Sequence, residues 1–436
     1  MDRKVIKLAI PNIISNITIP LVGLVDVILM GHLESEAYIG AIALGATIFT
    51  FIYAGFGFLR MGTSGFTAQA FGARDIKESV LILSRAMLIA LIAATSLILL
   101  QPFIAWGSFQ LIGGSQEVET LAKEYFYIRI WAAPATLGIY ALTGWYIGMQ
   151  NTRIPMVMAI VVNIVNVALS ASFIMFFGMK SDGVAWGTVA AQYTGLLVGL
   201  IFFRKYFFKI LKHWSMKGML HWVAIKRFVK VNTDILIRSV FLTGSFFYFT
   251  AESAVFGDEI LAVNALMIQF LWILSYFIDG FAFAAEAIVG KTIGAKNHKD
   301  LLLAVKVLLK WGLLVCIPFT AFYFFANESI FHLLTNKQNI IDLSRQYEFW
   351  IWIMPLITFS AFIWDGIYIG ATASKVMRNT MIVASLGLYI PIYYLFKDSL
   401  GNHALWLALM IFMASRGVLL TIYSRKEIFN HKIFNT

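Results

Sequence analysis

Long apolar runs separated by short polar segments make up most of the chain. Twelve runs lie at about 5–31, 38–70, 79–105, 122–149, 154–178, 183–204, 224–251, 259–290, 300–325, 342–370, 376–396 and 402–424. Each is long enough for a helix that crosses the bilayer core, which needs about 20 apolar residues. None shows the short polar–apolar alternation of barrel strands. The pattern therefore predicts an all-α membrane protein with twelve transmembrane helices.

The charged residues fall between these runs and indicate the orientation of the chain. Basic residues cluster at the N-terminus, around 74–85, at Arg153, in 204–230, in 291–310, at 375–378 and in the tail, whereas the alternate loops hold acids or few charges. Lysine and arginine are enriched in the cytoplasmic loops of membrane proteins. We therefore expect a multi-pass protein of a bacterial-type inner (plasma) membrane, with both termini in the cytoplasm.

The two halves of the chain repeat each other at a constant offset of 222 residues. Gly72-Ala73-Arg74-Asp75 corresponds to Gly294-Ala295-Lys296-Asn297, and Gly144-Trp145-Tyr146-Ile147-Gly148 corresponds to Gly366-Ile367-Tyr368-Ile369-Gly370. Six spans in each half, both beginning inside, form a parallel repeat, which is a transporter architecture. We expect two pseudo-symmetric six-helix bundles. Their bounds are 1–205 for the first lobe, 206–222 for a cytoplasmic amphipathic linker, and 223–436 for the second lobe.

Composition narrows the functional class. The chain has 436 residues, of which 60% are hydrophobic and only 13% are charged, too few for a soluble domain. The net charge of +11 follows the loops, so it indicates orientation and no nucleic-acid partner. The seven histidines fall in loops, the linker or span ends, and no phosphate-binding loop or metal-spaced Cys/His cluster is present in the sequence. We expect neither an enzyme nor a bound metal or cofactor.

Asp26 lies inside the first apolar run, where an ionised carboxylate costs roughly 2.5–3.5 kcal/mol. Asn163, Asn166 and Ser170 share one face of a later helix, and Thr188 lies on the next helix. Such a set can hold a proton on the acid or coordinate a hard cation. The alternative is that these side chains only make hydrogen bonds between helices. We favour an ion-coupling site for H⁺ or Na⁺ at Asp26, Asn163, Asn166, Ser170 and Thr188.

The second half carries its own acids, which the repeat does not place in the first half. Asp279 and Glu286 are seven residues apart and share a helix face, while Asp365 lies mid-span in another helix. Asp234 and Arg238 are four apart and are expected to neutralise each other. The remaining acids would suit lipophilic cations. The candidate substrate-binding residues are Asp279, Glu286, Asp365 and Gln269.

Two prolines, Pro11 and Pro20, interrupt the backbone hydrogen bonding of the first span. Pro11 precedes Asp26 by fifteen residues, or about 22 Å along a helix. A bend at Pro11 could follow the protonation state of Asp26, so Pro11 is the candidate hinge.

Several motifs resemble one known family over nearly the whole chain. They are Val25-Asp26-Val27 through Met30-Gly31-His32-Leu33, Thr67 to Ala73, Asn166 to Ser170, Tyr276 to Gly290, Trp364 to Ala371, and Met377-Arg378-Asn379. In these motifs the chain is similar to the MATE (multidrug and toxic compound extrusion) transporters, especially their DinF-like branch.

The resemblance implies a V-shaped MATE/MOP-type pair of lobes and an antiporter that exports drugs and xenobiotics by alternating access, driven by the inward flow of H⁺ or Na⁺. It also implies that Asp26 is the coupling acid, with Asn166 and Thr188 as partners and Pro11 as the bend proline. Many relatives carry an aspartate where this chain has Ser170, so the loss of that carboxylate favours H⁺ over Na⁺. The expected partners are a small-molecule substrate and the lipid bilayer, and we expect a monomer.

One alternative from the same superfamily is a flippase for a lipid-linked sugar precursor. A pyrophosphate group would need cationic side chains in the cavity, and mid-span cations are few here, chiefly Arg238. The flippase is therefore the weaker interpretation.

Overall fold

The computed structural model describes residues 1–30, 36–111 and 115–430, with the backbone alone for residues 19, 21–30 and 36. Within these residues the chain is helical and has no strand. The helices of the first half are α1 (Asp2–Met30), α2 (Glu36–Gly55), α3 (Gly57–Gly72), α4 (Ile76–Leu99), α5 (Gln101–Leu111), α6 (Gln116–Arg129), α7 (Ala133–Gly148), α8 (Arg153–Phe177) and α9 (Ser181–Phe207).

A short linker and the second half follow. The linker contains a 3-10 turn at Phe208–His213 and α10 (Met216–Met219). The remaining helices are α11 (Trp222–Val255), α12 (Asp258–Gly294), α13 (His298–Leu334), α14 (Gln338–Ser344), α15 (Glu348–Gly370), α16 (Ser374–Ile382), α17 (Ile390–Leu400) and α18 (Asn402–Glu427). A π-helical segment, Val383–Tyr389, joins α16 to α17.

The prediction of an all-helical membrane protein is confirmed. Among the described residues, nine helical segments are long and apolar enough to cross a membrane; the count of twelve stays a prediction. The structure divides some predicted spans, and the sequence shows why at two of these points. The turn at Phe56 lies between two glycines, and Pro102, which has no N–H to donate, is the second residue of α5, two positions after the break at Leu100.

The chain forms two compact units. The first unit is Ile14–Val229, and the second unit is Met1–Ile13 together with Lys230–Thr436. The first turns of α1 therefore pack within the second unit, where Trp311 Nε1 donates to Asp2 Oδ1 at 3.0 Å. The ammonium of Lys310 lies 3.3 Å from the same oxygen and holds the pKa of Asp2 below its usual range. The lobe bounds at 205 and 223 stay predictions.

The 222-residue repeat recurs in the packing of each unit. A Cβ added to Gly144 would collide with the carbonyl oxygen of Arg60, and a Cβ added to Gly366 would collide with that of Ala282. Both the glycines and their partners are related by the same offset. Glycine at these positions lets two helices approach closely, as small-xxx-small motifs do in membranes.

Four short turns carry the same repeat in their backbone. The non-glycine residues with left-handed conformation in the described chain are Arg74, Gln150, Lys296 and Thr372, with φ of 58°, 63°, 53° and 53°. Each follows a helix that ends in a Schellman motif: for example, Asp75 N donates to Ala70 O at 2.9 Å. A left-handed L-residue costs roughly 1–2 kcal/mol, so the turn geometry is retained in both halves despite this cost.

The linker between the halves is fixed to α4 by one arginine. Arg85 is 3% exposed and donates from Nε to Met219 O at 3.2 Å and from Nη2 to Gly218 O at 2.9 Å. Its Nη1 lies 2.6 Å from Glu78 Oε1. The basic, aromatic segment that the sequence indicates as an amphipathic linker is thus anchored within the first unit.

Candidate functional site

In the first unit, α8 and α9 bring two of the predicted ion-site residues together. Asn166 Nδ2 donates to Thr188 Oγ1 at 3.0 Å, and Thr188 Oγ1 donates to Val184 O at 2.9 Å. Close approach of the helices is possible because Gly187 faces α8. A Cβ there would lie only 2.9 Å from the backbone nitrogen of Ser170.

Two buried oxygens on α8, one of them on Asn166 itself, have no hydrogen-bond donor in the described part of the chain. Asn166 is 3% exposed and Ser170 is fully buried, yet Asn166 Oδ1 and Ser170 Oγ have no hydrogen-bond partner among the described residues. They lie four residues apart and therefore on one face of α8. Buried polar atoms in proteins almost always have a partner, so this face is suited to a group that donates a proton or carries positive charge.

The remaining members of the predicted ion site lie on α8 and α1. Asn163 Nδ2 donates to Thr18 O of α1 at 3.1 Å, which places α1 beside the polar face of α8. Asp26 is eight residues further along α1, and its side chain lies outside the described residues. Pro11 is buried within the same helix, two residues before α1 passes from the second unit to the first.

In the second unit, Asp365 is shared by two buried arginines. Arg416 Nη2 donates to Asp365 Oδ2 at 2.6 Å, and Arg238 Nη2 donates to the same oxygen. The side chains of Arg238, Arg416 and Asp365 are 7%, 2% and 10% exposed. The interpretation of Asp365 as an acid in surplus is therefore wrong, since two guanidinium groups compensate one carboxylate.

The expected pair of Asp234 with Arg238 is also wrong. Asp234 instead accepts hydrogen bonds from Arg378 Nη1 at 2.6 Å and Ser374 Oγ at 2.9 Å. Spacing by four residues permits contact on a helix surface. Here the neighbouring helices offer both side chains closer partners.

The other second-half candidates lie along α12. Asp279 is half-buried on α12. Glu286 is 1% exposed, and its backbone packs against Gly370. Gln269 is exposed and ten residues from Asp279, about 15 Å along the helix, so it lies apart from that acid.

Arg416 was not among the residues predicted from the sequence. It is the one arginine within the apolar part of α18, and an ionisable residue in such a run is costly unless it is paired. That cost was the available signal that Arg416 has an acidic partner. In the described part of the chain, no three His, Cys, Asp or Glu side chains are grouped as a metal site requires.

Comparison with known proteins decides the family. The MatE family model matches residues 11–172 and 235–395. The chain belongs to the MatE family. It is 38% identical over 430 residues to the DNA damage-inducible protein F of Escherichia coli (strain K12), and the match covers 98% of this chain and 92% of that protein.

Two further similarities agree with this assignment. This MatE chain is 26% identical over 434 residues to the multidrug and toxin extrusion protein 1 of Danio rerio, covering 96% of this chain and 72% of that one. A crystal structure of a MATE protein in the bent conformation superposes with a TM-score of 0.87 at 19% identity, covering 99% and 97% of the two chains. The last match shows a shared fold. The MatE protein is thus a multi-pass membrane transporter of small molecules and not an enzyme.

Proposed function

We propose that this MatE protein is an ion-coupled antiporter that exports drugs by alternating access and binds its coupling ion at Asp26. The observation that carries the proposal is the pair of buried oxygens, Asn166 Oδ1 and Ser170 Oγ. Leaving a buried acceptor without a donor costs roughly 1–3 kcal/mol. A protonated carboxyl group or a cation at this face of α8 would remove that cost.

The position of Asp26 along α1 supports this assignment. Asn163 contacts Thr18, and both helices run outward in the predicted topology. From Thr18 to Asp26 the rise is about 12 Å, and from Asn163 to Ser170 it is about 10 Å. These two rises are similar, which supports a position of Asp26 close to the level of Ser170, one of the two α8 residues with an oxygen that has no partner in the described chain.

The proton is the favoured ion. A protonated Asp26 has one O–H to donate and needs one acceptor, which Asn166 Oδ1 or Ser170 Oγ supplies. Hard cations are held by several oxygens, and Ser170 brings a neutral oxygen where many relatives have a carboxylate. The chain thus offers one acid and a few neutral oxygens, a set better matched to a single proton.

For the substrate, we propose lipophilic organic cations, in keeping with relatives described as multidrug and toxin extrusion proteins. Asp279 and Glu286 stay the acidic candidates, because Asp365 is compensated by its two arginines. Those arginines are engaged with a carboxylate and are not arranged to receive a pyrophosphate. We therefore do not adopt the flippase alternative.

The inward movement of one coupling ion releases enough free energy to drive export. One elementary charge that crosses the membrane supplies about 2.3 kcal/mol per 100 mV, which is about a fiftyfold concentration ratio. One proton can therefore drive export of a neutral substrate. Exchange of one proton for a monovalent cation is electroneutral and needs the pH gradient.

The test is transport by purified protein in proteoliposomes with imposed H⁺ or Na⁺ gradients. We expect wild type to respond to the H⁺ gradient, and Asp26→Asn to bind substrate but not to export it. Asp398→Asn, a change of the same kind at an exposed helix end, is the control and should resemble wild type. Export by Asp26→Asn at the wild-type rate with the same gradient dependence would contradict the assignment of Asp26 as the coupling residue. A wild-type response to the Na⁺ gradient alone would show that Na⁺, and not H⁺, is the coupling ion.

A further inference from the structure

A polar pocket of about 450 Å³ opens at the helix ends of the second unit that the charge pattern predicts to be cytoplasmic. Its lining comes from the first half of α11, the turn between α15 and α16, the first two turns of α16, and the last turn of α18. The charged side chains that line it are Lys230, Lys375, Lys426, Asp234 and Glu427.

Positive charge prevails in this pocket. The three lysines are exposed and make no ion pair within the described residues. The carboxylate of Asp234 is already bound by Arg378 and by Ser374 Oγ, which leaves Glu427 as the acid opposite the lysines. With Asp234 compensated by Arg378, the three lysines that line the pocket are opposed by Glu427, which leaves a surplus of two positive charges. An anion is the ligand that this charge distribution favours.

An apolar surface leads from the membrane to the pocket along α18. Val418 and Ile422 are 56% and 61% exposed. They are followed at the same spacing by Lys426, so all three share one face of the helix. Tyr423, which lines the pocket, is 46% exposed at the same end. Aromatic residues are enriched at this level of membrane proteins, where the headgroups lie.

We propose that this pocket binds the phosphate of an anionic membrane-lipid headgroup. The acyl chains would lie along Val418 and Ile422, and the phosphate would be held by Lys426 with Lys230 and Lys375. Basic pockets between helices on the cytoplasmic side are suited to such headgroups. A soluble anion would explain the lysines but not the exposed apolar surface that ends at one of them. The lipid accounts for both features.

The test uses the full-length protein in a neutral detergent, titrated with short-chain phosphatidylglycerol, with short-chain phosphatidylcholine and with inorganic phosphate. Binding is measured by native mass spectrometry, and Tm is followed in parallel. The variants are Lys426→Gln and Lys375→Gln, with Arg425→Gln as the matched control. Arg425 is exposed, adjacent to Lys426 on α18 and loses the same charge, but it does not line the pocket.

We expect phosphatidylglycerol to bind wild type and Arg425→Gln equally and to raise Tm in both. Each lysine variant should lose about fivefold in affinity, or about 1 kcal/mol, the contribution of one basic residue near anionic lipid. An equal loss in Arg425→Gln, or no loss in either lysine variant, would reduce the pocket to diffuse surface charge. Competition by inorganic phosphate would assign the site to a soluble anion. Equal binding of phosphatidylcholine would show that the pocket does not select for the net negative charge of the headgroup.

Discussion

Replacing Asp365 with asparagine should destabilise the second unit, because the change leaves two buried arginines with an uncharged partner. Arg238 and Arg416 both donate to Asp365 Oδ2, and the three side chains are at most 10% exposed. If Asp365 bound a cationic substrate instead, the same change would leave the fold intact and reduce cation transport alone. The variant therefore separates a structural role from a role in substrate binding.

The expected magnitude follows from the contacts. Breaking a buried ion pair by removing one partner costs about 3–5 kcal/mol. The side-chain oxygen of asparagine can still accept a hydrogen bond from an arginine, so we take the lower end, about 3 kcal/mol. Arg416→Met in the wild-type background should cost less. It leaves Asp365 paired with Arg238, and methionine fills much of the space beside Met413 and Phe412.

The assay is Tm in detergent for Asp365→Asn, Arg416→Met and the double variant. At about 2 °C per kcal/mol for a long chain, Asp365→Asn should lower Tm by about 6 °C. The double variant lacks Arg416, one of the two buried cations that Asp365→Asn leaves without a charged partner. It should therefore be more stable than Asp365→Asn alone. An Asp365→Asn protein with wild-type Tm, which loses transport of a lipophilic cation but keeps that of a neutral compound, would refute this reasoning.

Three further predictions concern topology, packing and the linker. In a background without the native cysteine, an impermeant thiol reagent applied to whole cells should label a cysteine at Gln116 and spare one at Lys212; the reverse result would contradict the orientation. Gly366→Ala should lower Tm because its Cβ collides with backbone, whereas Gly244→Ala, with nothing within 4 Å, should not; equal Tm values would show that close packing at 366 is dispensable. Arg85→Gln should speed proteolysis within 208–219, and unchanged cleavage would mean that Arg85 does not anchor the linker.

Much of the fold could be predicted because membrane helices appear in the sequence as long apolar runs. The predicted span 154–178 matches α8 closely, and 402–424 lies within α18. The repeat was also visible, since glycines that permit close approach, such as Gly144 and Gly366, cannot be replaced without collision. Breaks inside a run were missed, as at Phe56, because both sides of the turn are equally apolar.

The pairing of buried charges could not be predicted in the same way. Asp234 and Arg238 have the spacing of a helix-surface pair, yet Arg378 is 144 residues from Asp234 in sequence and binds it. Arg416 and Asp365 are 51 residues apart. Local spacing states which side chains share a face, whereas the rotation of each helix about its axis decides which face meets which. That rotation is set by the packing of whole helices and is not encoded in any short motif.

The four left-handed turns have a mechanical consequence. A short turn whose N–H groups donate back to the preceding helix, as those of Arg74 and Asp75 or of Lys296 and Asn297 do, has little freedom to open or twist. We expect the two helices that such a turn joins, α3 with α4 and α12 with α13, to move together as one piece in any conformational change. We expect bending inside helices instead, at Pro11 in α1, the predicted hinge, or at the π-helical segment Val383–Tyr389.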